Sequence, residues 1–346
     1  MTLSDRWIYG IGSGPGQGFT CRDPRAGAAS IIRGVRTATA VTLWLVAAAS
    51  AAAQAVAGGC DALACASMTG EGRRALAERR PAEAVGALED AIACHCPGRR
   101  EMELELARAH LIAGEFEKSL EILGRLLRAR SDDVAALKLK GQIAFLLERD
   151  DEAAAALIRA LELDPSDEQA AYLLGRVYYY QNWFDLAIAQ FQRVLRRNPN
   201  SYKAHDNLGL CYDALGKEEL AIRHFLAAIR LVDKEHPGYD WPYANLARLL
   251  INRGEYKKAF SLALEAARRN PRSARDYYLA ARALVKAKQF DKAVRWLERS
   301  VELDPDYLKA RYLLGQVYVQ LGRQEEAQRE FEVCRRLAPR ADLPPR

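Results

Sequence analysis

The chain has 346 residues, half of them hydrophobic, with a formal net charge of +6. Its first 55 residues hold five arginines against two aspartates, and the remainder holds 46 basic against 43 acidic side chains, a balance too even for a nucleic-acid-binding protein. The length alone allows two or three compact domains, and the repeats below replace that expectation with one elongated domain.

Residues 1–34 read as a doubtful or disordered leader. Gly10, Gly12, Gly14, Gly16 and Gly18 suggest a phosphate loop, but no window has G-x-G-x-x-G spacing and no helix-forming repeat follows. Over 35–55 the pattern changes. Arg33 and Arg36 precede a stretch free of charge from Thr37 to Cys60, with an apolar centre at Val41–Val46 and A-Q-A at Ala53–Ala55. Basic start, short apolar core and small-residue site describe a secretory signal peptide cut after Ala55, which places the mature chain in the periplasm or outside the cell. An uncleaved anchor facing the periplasm and a lipoprotein acylated at Cys60 remain open, and only these give the chain a membrane contact. The alanine- and arginine-rich composition suits a GC-rich bacterial genome.

Residues 56–66 form a cysteine-containing linker. Cys60, Cys65, Cys94 and Cys96 flank the first expected helix pair, and an oxidising compartment would let them form one or two bridges. Cys65 and Cys94 stand where the start of one helix lies beside the end of its antiparallel partner. The connectivity is not fixed by the sequence. Cys60-x4-Cys65 with Cys94-His95-Cys96 also offers four or five zinc ligands, but the second pair is too close for a C-x2-C knuckle. Cys211 and Cys334 fall on expected helices and read as small core residues; Cys21 belongs to the leader.

From residue 67 the chain keeps a period. Pro165, Pro199, Pro237, Pro271, Pro305 and Pro339 are 34, 38, 34, 34 and 34 residues apart by subtraction. Such a period marks a helical solenoid. In the unit Glu168–Pro199, Leu174, Gly175 and Tyr178 share one face of a first helix, Gln181–Asp185 forms a turn, and Ala187, Phe191 and Val194 share a face of a second. Pro199 then stops the second helix. Small residues recur in register at Gly141 and Ala153, Gly209 and Ala221, Ala247 and Ala259, Ala281 and Ala293, and Gly315 and Ala327. They sit where paired helices must come close. Large partners recur at Leu157, Phe191, Phe225, Leu297 and Phe331. Counting back, residues 98–131 form a weaker repeat and residues near 66–97 a degenerate one carrying Ala84, Leu88 and Ala91.

This pattern resembles the tetratricopeptide repeat family: a small residue in the first helix, an aromatic three on, then alanine, a large residue and a closing proline. Leu208–Tyr212 and Leu314–Tyr318 fit it closely. The fold expected is an all-α, right-handed superhelical solenoid of antiparallel helix pairs, with about eight repeats over 67–339 and a tail at 340–346. The unit ending at Pro237 is four residues longer than its neighbours. The extra residues are expected around Asp233–Gly238, loosening the stack as a hinge, with Asp240 as an N-cap and Pro242 in the next first turn. Gln328, Glu332, Arg335 and Arg336 give the last helix a polar outer face that serves as its own cap.

The resemblance implies that first helices line an inner groove. The positions opposite the packing stripe are Tyr172, Arg176, Tyr179 and Tyr180, then Lys203, Asp206 and Asn207, then Asn245, Arg248 and Asn252. Arg275, Tyr278 and Arg282, then Lys309, Tyr312 and Gln316, complete the row. Arg108, Arg176, Arg248 and Arg282 occupy one repeat position. Such a groove suits a protein or peptide segment, acidic in character, docked near residues 172–282. The opposing reading has these tyrosines packed between helices and these arginines paired with local carboxylates. The carboxylate clamp of some family members is incomplete, with Tyr172 at a lysine position and Leu279 at an arginine position, so chaperone-tail binding is not implied.

No H-E-x-x-H, G-x-S-x-G, Walker or calcium-loop pattern occurs, and no cofactor is expected. Exposed carboxylates such as Glu218 and Glu219 read as a solvated helix face. The expectation is a non-catalytic interaction scaffold in an envelope or secretion assembly. Its rivals are an accessory subunit of an enzyme such as a glycosyltransferase, and a thiol or zinc protein acting through Cys60–Cys96.

Overall fold

A computed structural model describes residues 60–337, with Lys234 and Glu235 described in backbone only. The leader, the signal segment, Cys21, Pro339 and the tail expected at 340–346 lie outside these residues. The described residues form sixteen α-helices and no strand. Contacts divide the chain into two units, Met1–Pro165 and Ser166–Arg346. The first holds three helix pairs: α1 (Ala62–Ala77) with α2 (Pro81–Ala93), α3 (Arg99–Ala113) with α4 (Phe116–Ala129), and α5 (Val134–Leu146) with α6 (Asp150–Leu163). The second holds five: α7 (Glu168–Tyr180) with α8 (Phe184–Arg197), α9 (Tyr202–Ala214) with α10 (Glu218–Glu235), α11 (Trp241–Arg253) with α12 (Tyr256–Arg269), α13 (Ala274–Lys286) with α14 (Phe290–Leu303), and α15 (Leu308–Gln320) with α16 (Gln324–Leu337). Helix α1 begins inside the segment expected as linker, because Asp61 caps it by accepting from the Ala64 amide at 2.7 Å.

Local chemistry sets the boundaries. Asp133, Asp167 and Ser201 each accept a hydrogen bond from the amide three residues on, starting α5, α7 and α9. The prolines at 165, 199, 271 and 305 follow the C-cap residues Asp164, Asn198, Asn270 and Asp304, where the missing N–H forbids another helical turn. Each intra-pair turn contains one residue of positive φ: Arg79, Gly114, Glu148, Asn182, Gly216, Gly254, Lys288 and Gly322. That residue reverses the chain quickly enough for the second helix to resume at Phe184, inside the expected Gln181–Asp185 turn.

Packing explains the small-large rhythm. A Cβ on Gly209 would stand 2.5 Å from the Phe225 ring, and one on Gly175 would stand 2.8 Å from Phe191. Gly141 faces Leu157 and Gly315 faces Phe331 in the same way, so each glycine makes room for one large side chain of its own pair. Gly72 holds the same place against Leu88 in the degenerate first repeat. Within each unit, first helices also touch the first helices of neighbouring repeats: α1 with α3, α3 with α5, and α7, α9, α11, α13 and α15 in succession. Their polar faces therefore form one continuous row in each unit.

The four-residue insertion does not form the loose junction expected of it. It lengthens α10, which runs 18 residues where α8, α12, α14 and α16 run 14. The connection to α11 is tied on several sides. Arg269 pairs with Asp233, reaches the Pro237 carbonyl at 3.4 Å and lies 4.5 Å over the Tyr243 ring, while Tyr243 donates to Asp233 and Tyr239 is buried. Asp240 stands at the N-cap of α11, but its carboxylate makes no cap bond and turns to Arg275 instead. Pro242 does occupy the first turn.

Candidate functional site

The row of first-helix side chains in the second unit holds the greatest concentration of buried polar groups. On α7, Tyr172 accepts a hydrogen bond from Asn207 Nδ2 at 3.3 Å, and burial pushes its hydroxyl up to about 12. Arg176, four residues on, is only 1% exposed. Tyr179 is half-buried between Tyr180 and Phe184, and burial lifts its hydroxyl also to about 12.

Helix α9 contributes Lys203, Asp206 and Asn207. Asn207 also donates to the Lys203 carbonyl at 2.8 Å. Burial, and then the positive charge of Arg176, holds the Lys203 ammonium below its usual range. Asp206 is fully buried. One carboxylate oxygen accepts from Asn245 Nδ2 at 2.9 Å; the other has no hydrogen-bond partner. Burial pushes this carboxyl up to about 7, against the pull of Asn245, Arg275 and Arg248.

Helices α11 and α13 add ion pairs. Arg248 reaches Asp213 of α9 at 2.8 Å. Arg275 joins Asp240 and Asp276 and stacks 3.6 Å over the Trp241 ring. Burial pushes the Asp240 carboxyl upward, with Arg275 offsetting part of the shift. Arg282 donates to Asn252 Oδ1 at 3.1 Å. Tyr278 meets Tyr307 edge-on, with centroids 5.4 Å apart. On α15, Tyr312 is 40% exposed and its ring lies near Phe331.

The expected row is thus assembled, but much of it faces inward. Arg176, Asp206, Asn207 and Asn245 are buried, and Arg248 and Arg275 are already paired with carboxylates. Lys203, Tyr172, Tyr179, Arg282 and Tyr312 retain accessible surface. Reading the sequence face by face passes over Asp213, Asp240, Asp276, Trp241 and Tyr307, which supply the partners. Their signal is the period itself. Tyr172 meets Asn207, and Asp240 meets Arg275, at separations of 35; Asp206 meets Asn245 at 39, across the insertion. In these three pairs a polar residue finds its partner one repeat plus one residue along the chain.

In the first unit, Cys60 lies beside Cys94 with Cα atoms 5.4 Å apart, and Cys65 beside Cys96 at 5.5 Å. Cys94 therefore neighbours Cys60, five residues before the Cys65 weighed from the sequence. His95 turns its Nδ1 to the Ala93 carbonyl. Among the described residues no three His, Cys, Asp or Glu side chains gather in a metal-binding group, and no helix is long and apolar enough to cross a membrane.

These features define a helical-repeat protein built from stacked helix pairs. Residues 69–123, 104–168 and 172–238 match the tetratricopeptide repeat model, and residues 252–334 match the model of anaphase-promoting complex, cyclosome, subunit 3. The chain belongs to the tetratricopeptide repeat family. No curated protein matches it. Among solved structures it is similar to a chain of the APC/C hetero-tetramer Cut9-Hcn1, at 15% identity and a TM-score of 0.58 over 76% of this chain and 51% of that one. A tetratricopeptide repeat protein from Parabacteroides merdae gives 15% identity and 0.59 over 74% of this chain and 99% of that one. Yeast Tom70 gives 22% and 0.53 over 69% and 51%. The chain thus spans about half the length of the Cut9-Hcn1 and Tom70 chains. At these identities the likeness is one of fold.

Proposed function

We infer that this chain is a protein-interaction scaffold, a reading that its tetratricopeptide repeats support. We propose that it is an exported, non-catalytic scaffold that holds an extended segment of another protein along the first-helix row of its second unit. The observation that carries the reading is Lys203. Its ammonium is half-buried beside the cationic Arg176, a placement that a carboxylate from a bound segment offsets. Tyr172 is tied to it through Asn207, and Tyr179, Tyr312 and Arg282 carry amphipathic and basic character further along the row. The partner segment is therefore acidic, and its anchor docks at α7 and α9. Arg248 and Arg275, already neutralised, position the row instead of gripping the ligand.

Export is supported by the basic, apolar and small-residue succession over 35–55 and by the cysteine pairs, whose Cα separations suit bridges in an oxidising compartment.

Binding is tested with a fluorescent glutamate-rich peptide and its glutamine counterpart. The acidic peptide binds more tightly, Lys203→Glu weakens it roughly tenfold or more, and adding Arg282→Glu weakens it further. Equal binding of the two peptides, or no effect of Lys203→Glu, removes the acidic-segment reading. Export is tested by the intact mass of protein recovered from an exporting strain, alkylated with and without reduction. A chain beginning at Val56 whose Cys60, Cys65, Cys94 and Cys96 react only after reduction supports it; a chain that retains residues before Ala55, with those four thiols free, overturns it.

A further inference from the structure

The turn between α7 and α8 differs from its counterparts in a way that the fold does not require. In five of the eight helix pairs, the residue before the second helix forms an ion pair with the residue three on: Arg80 with Glu83, Glu115 with Lys118 at 3.1 Å, Arg149 with Glu152 at 4.0 Å, Glu255 with Lys258 at 2.7 Å, and Arg323 with Glu326. Two other pairs carry a lysine there, Lys217 with Leu220 and Gln289 with Lys292. At α8 the same two positions hold Trp183 and Leu186, 50% and 49% exposed. Residues three apart at a helix start share a face, so the two make one apolar surface. Trp183 lies beside the Tyr178 ring, with centroids 5.8 Å apart. The last repeat covers the matching Tyr318 with the Arg323 guanidinium, 4.3 Å from the ring centroid, so that cover needs no apolar group.

This surface continues the row along α7. Arg176 lies 5.9 Å from the Tyr180 centroid, Tyr180 meets Tyr179 edge-on at 5.7 Å, and Tyr179 meets Phe184, the neighbour of Trp183, also at 5.7 Å. Resting on the reading that an acidic segment anchors at Lys203, we propose that Trp183 and Leu186, with Tyr180 and Phe184 beside them, receive a bulky apolar side chain of that same segment. Charge fixes which end lies where. Lys203 and Arg176 make one end of the path cationic. The other end is anionic on balance: exposed Asp185 stands between Trp183 and Leu186, and the same place one repeat on presents Lys217, Glu218 and Glu219. The carboxylates of the segment are therefore held at the Lys203 end, and its apolar residue crosses the turn. Length sets the spacing. From Tyr172 to Tyr180 the helix rises about 12 Å at ~1.5 Å per residue, which an extended chain covers in about four residues at ~3.3 Å each. With the further reach to Trp183, the apolar residue stands about five positions from the acidic one.

Calorimetric titration of the full-length protein with synthetic peptides provides the test. The peptides carry a glutamate-rich end and a phenylalanine five positions away, in either chain order, and the controls have alanine for the phenylalanine. The better phenylalanine peptide binds roughly tenfold or more tightly than its control. The paired change Trp183→Arg with Leu186→Glu, which installs the ion pair that other repeats carry, removes that gain and leaves the alanine peptide unchanged, while Lys203→Glu weakens both. No gain from phenylalanine, or a gain that survives the paired change, overturns the apolar anchor and leaves the acidic reading standing where Lys203→Glu still weakens binding. If Lys203→Glu changes neither peptide, the acidic reading and this inference fail together. A second measurement needs no variant. The phenylalanine peptide shifts the tryptophan emission of the unaltered protein to the blue and the alanine peptide does not; equal emission with both overturns the inference.

Discussion

Two aspartates in this chain show how the same side chain serves opposite ends. Asp133 is almost fully buried, and burial alone would raise its carboxyl. The two-pronged contact from Arg100, at 2.6 and 2.8 Å, and the Ala136 amide outweigh that and hold it below the ordinary range. Asp206 is equally buried, accepts only from Asn245, and rises to about 7. The consequence for stability has a definite sign. Below the unfolded carboxyl value, about 3.9, both states hold the proton and Asp206 contributes nothing. Between there and pH 7 the folded state keeps a proton that the unfolded state has lost, so stability falls as pH rises. Above pH 7 the unpartnered charge is fully destabilising. Asp206→Asn replaces that charge with a neutral amide beside Asn245. We expect it to raise stability by about 1–3 kcal/mol at pH 8, with the gain vanishing near pH 4, in paired urea melts. A gain that is independent of pH would mean that Asp206 stays ionised in the fold.

At the scale of the helix pair, space decides what a glycine does. Gly209 and Gly86 are both helix-interior glycines, where alanine would ordinarily gain about 0.5–1 kcal/mol. A Cβ at Gly86 meets nothing within 4 Å, whereas one at Gly209 drives into Phe225 at 2.5 Å. Gly86→Ala should therefore stabilise by that amount. Gly209→Ala should destabilise by about 1–3 kcal/mol, and the loss should shrink when Phe225→Leu is added. Denaturant midpoints of the four proteins decide it. This pairing of small with large was legible in the sequence because it repeats at a fixed distance inside one helix pair. The polar row was legible only in part. Arg248 and Arg275 stand on the helix face that the repeat assigns to the groove, and the structure instead pairs them with Asp213 and Asp240, one repeat away, as the opposing reading has it. The insertion was misread for a related reason. Its length shows in the sequence, but α10 could absorb four residues as another turn because Arg269 and Tyr243 hold the lengthened end.

Across the whole chain, repeat stability is close to a sum of terms for each pair and its neighbours, so a perturbation at one end stays near that end. The first pair depends most on help. Its rhythm is one residue out of phase with the later repeats, by the steps Leu88, Leu123 and Leu157. The cysteines stand at that pair. Bridges between Cys60 and Cys94 and between Cys65 and Cys96 would close segments of 34 and 31 residues, for which unfolded-chain entropy gives about 3–4 kcal/mol each, the overlap of the two segments making the sum smaller. Reduction of the protein should then speed amide exchange strongly in α1 and α2, weakly in α3, and not at all in α13 to α16. Hydrogen exchange followed by peptide mass analysis, with and without reductant, reads this helix by helix. If exchange stayed unchanged in α1 and α2, the cysteine pairs would not be bridging the fold. If it rose uniformly through α16, the chain would unfold as one cooperative block and not as a series of neighbouring pairs.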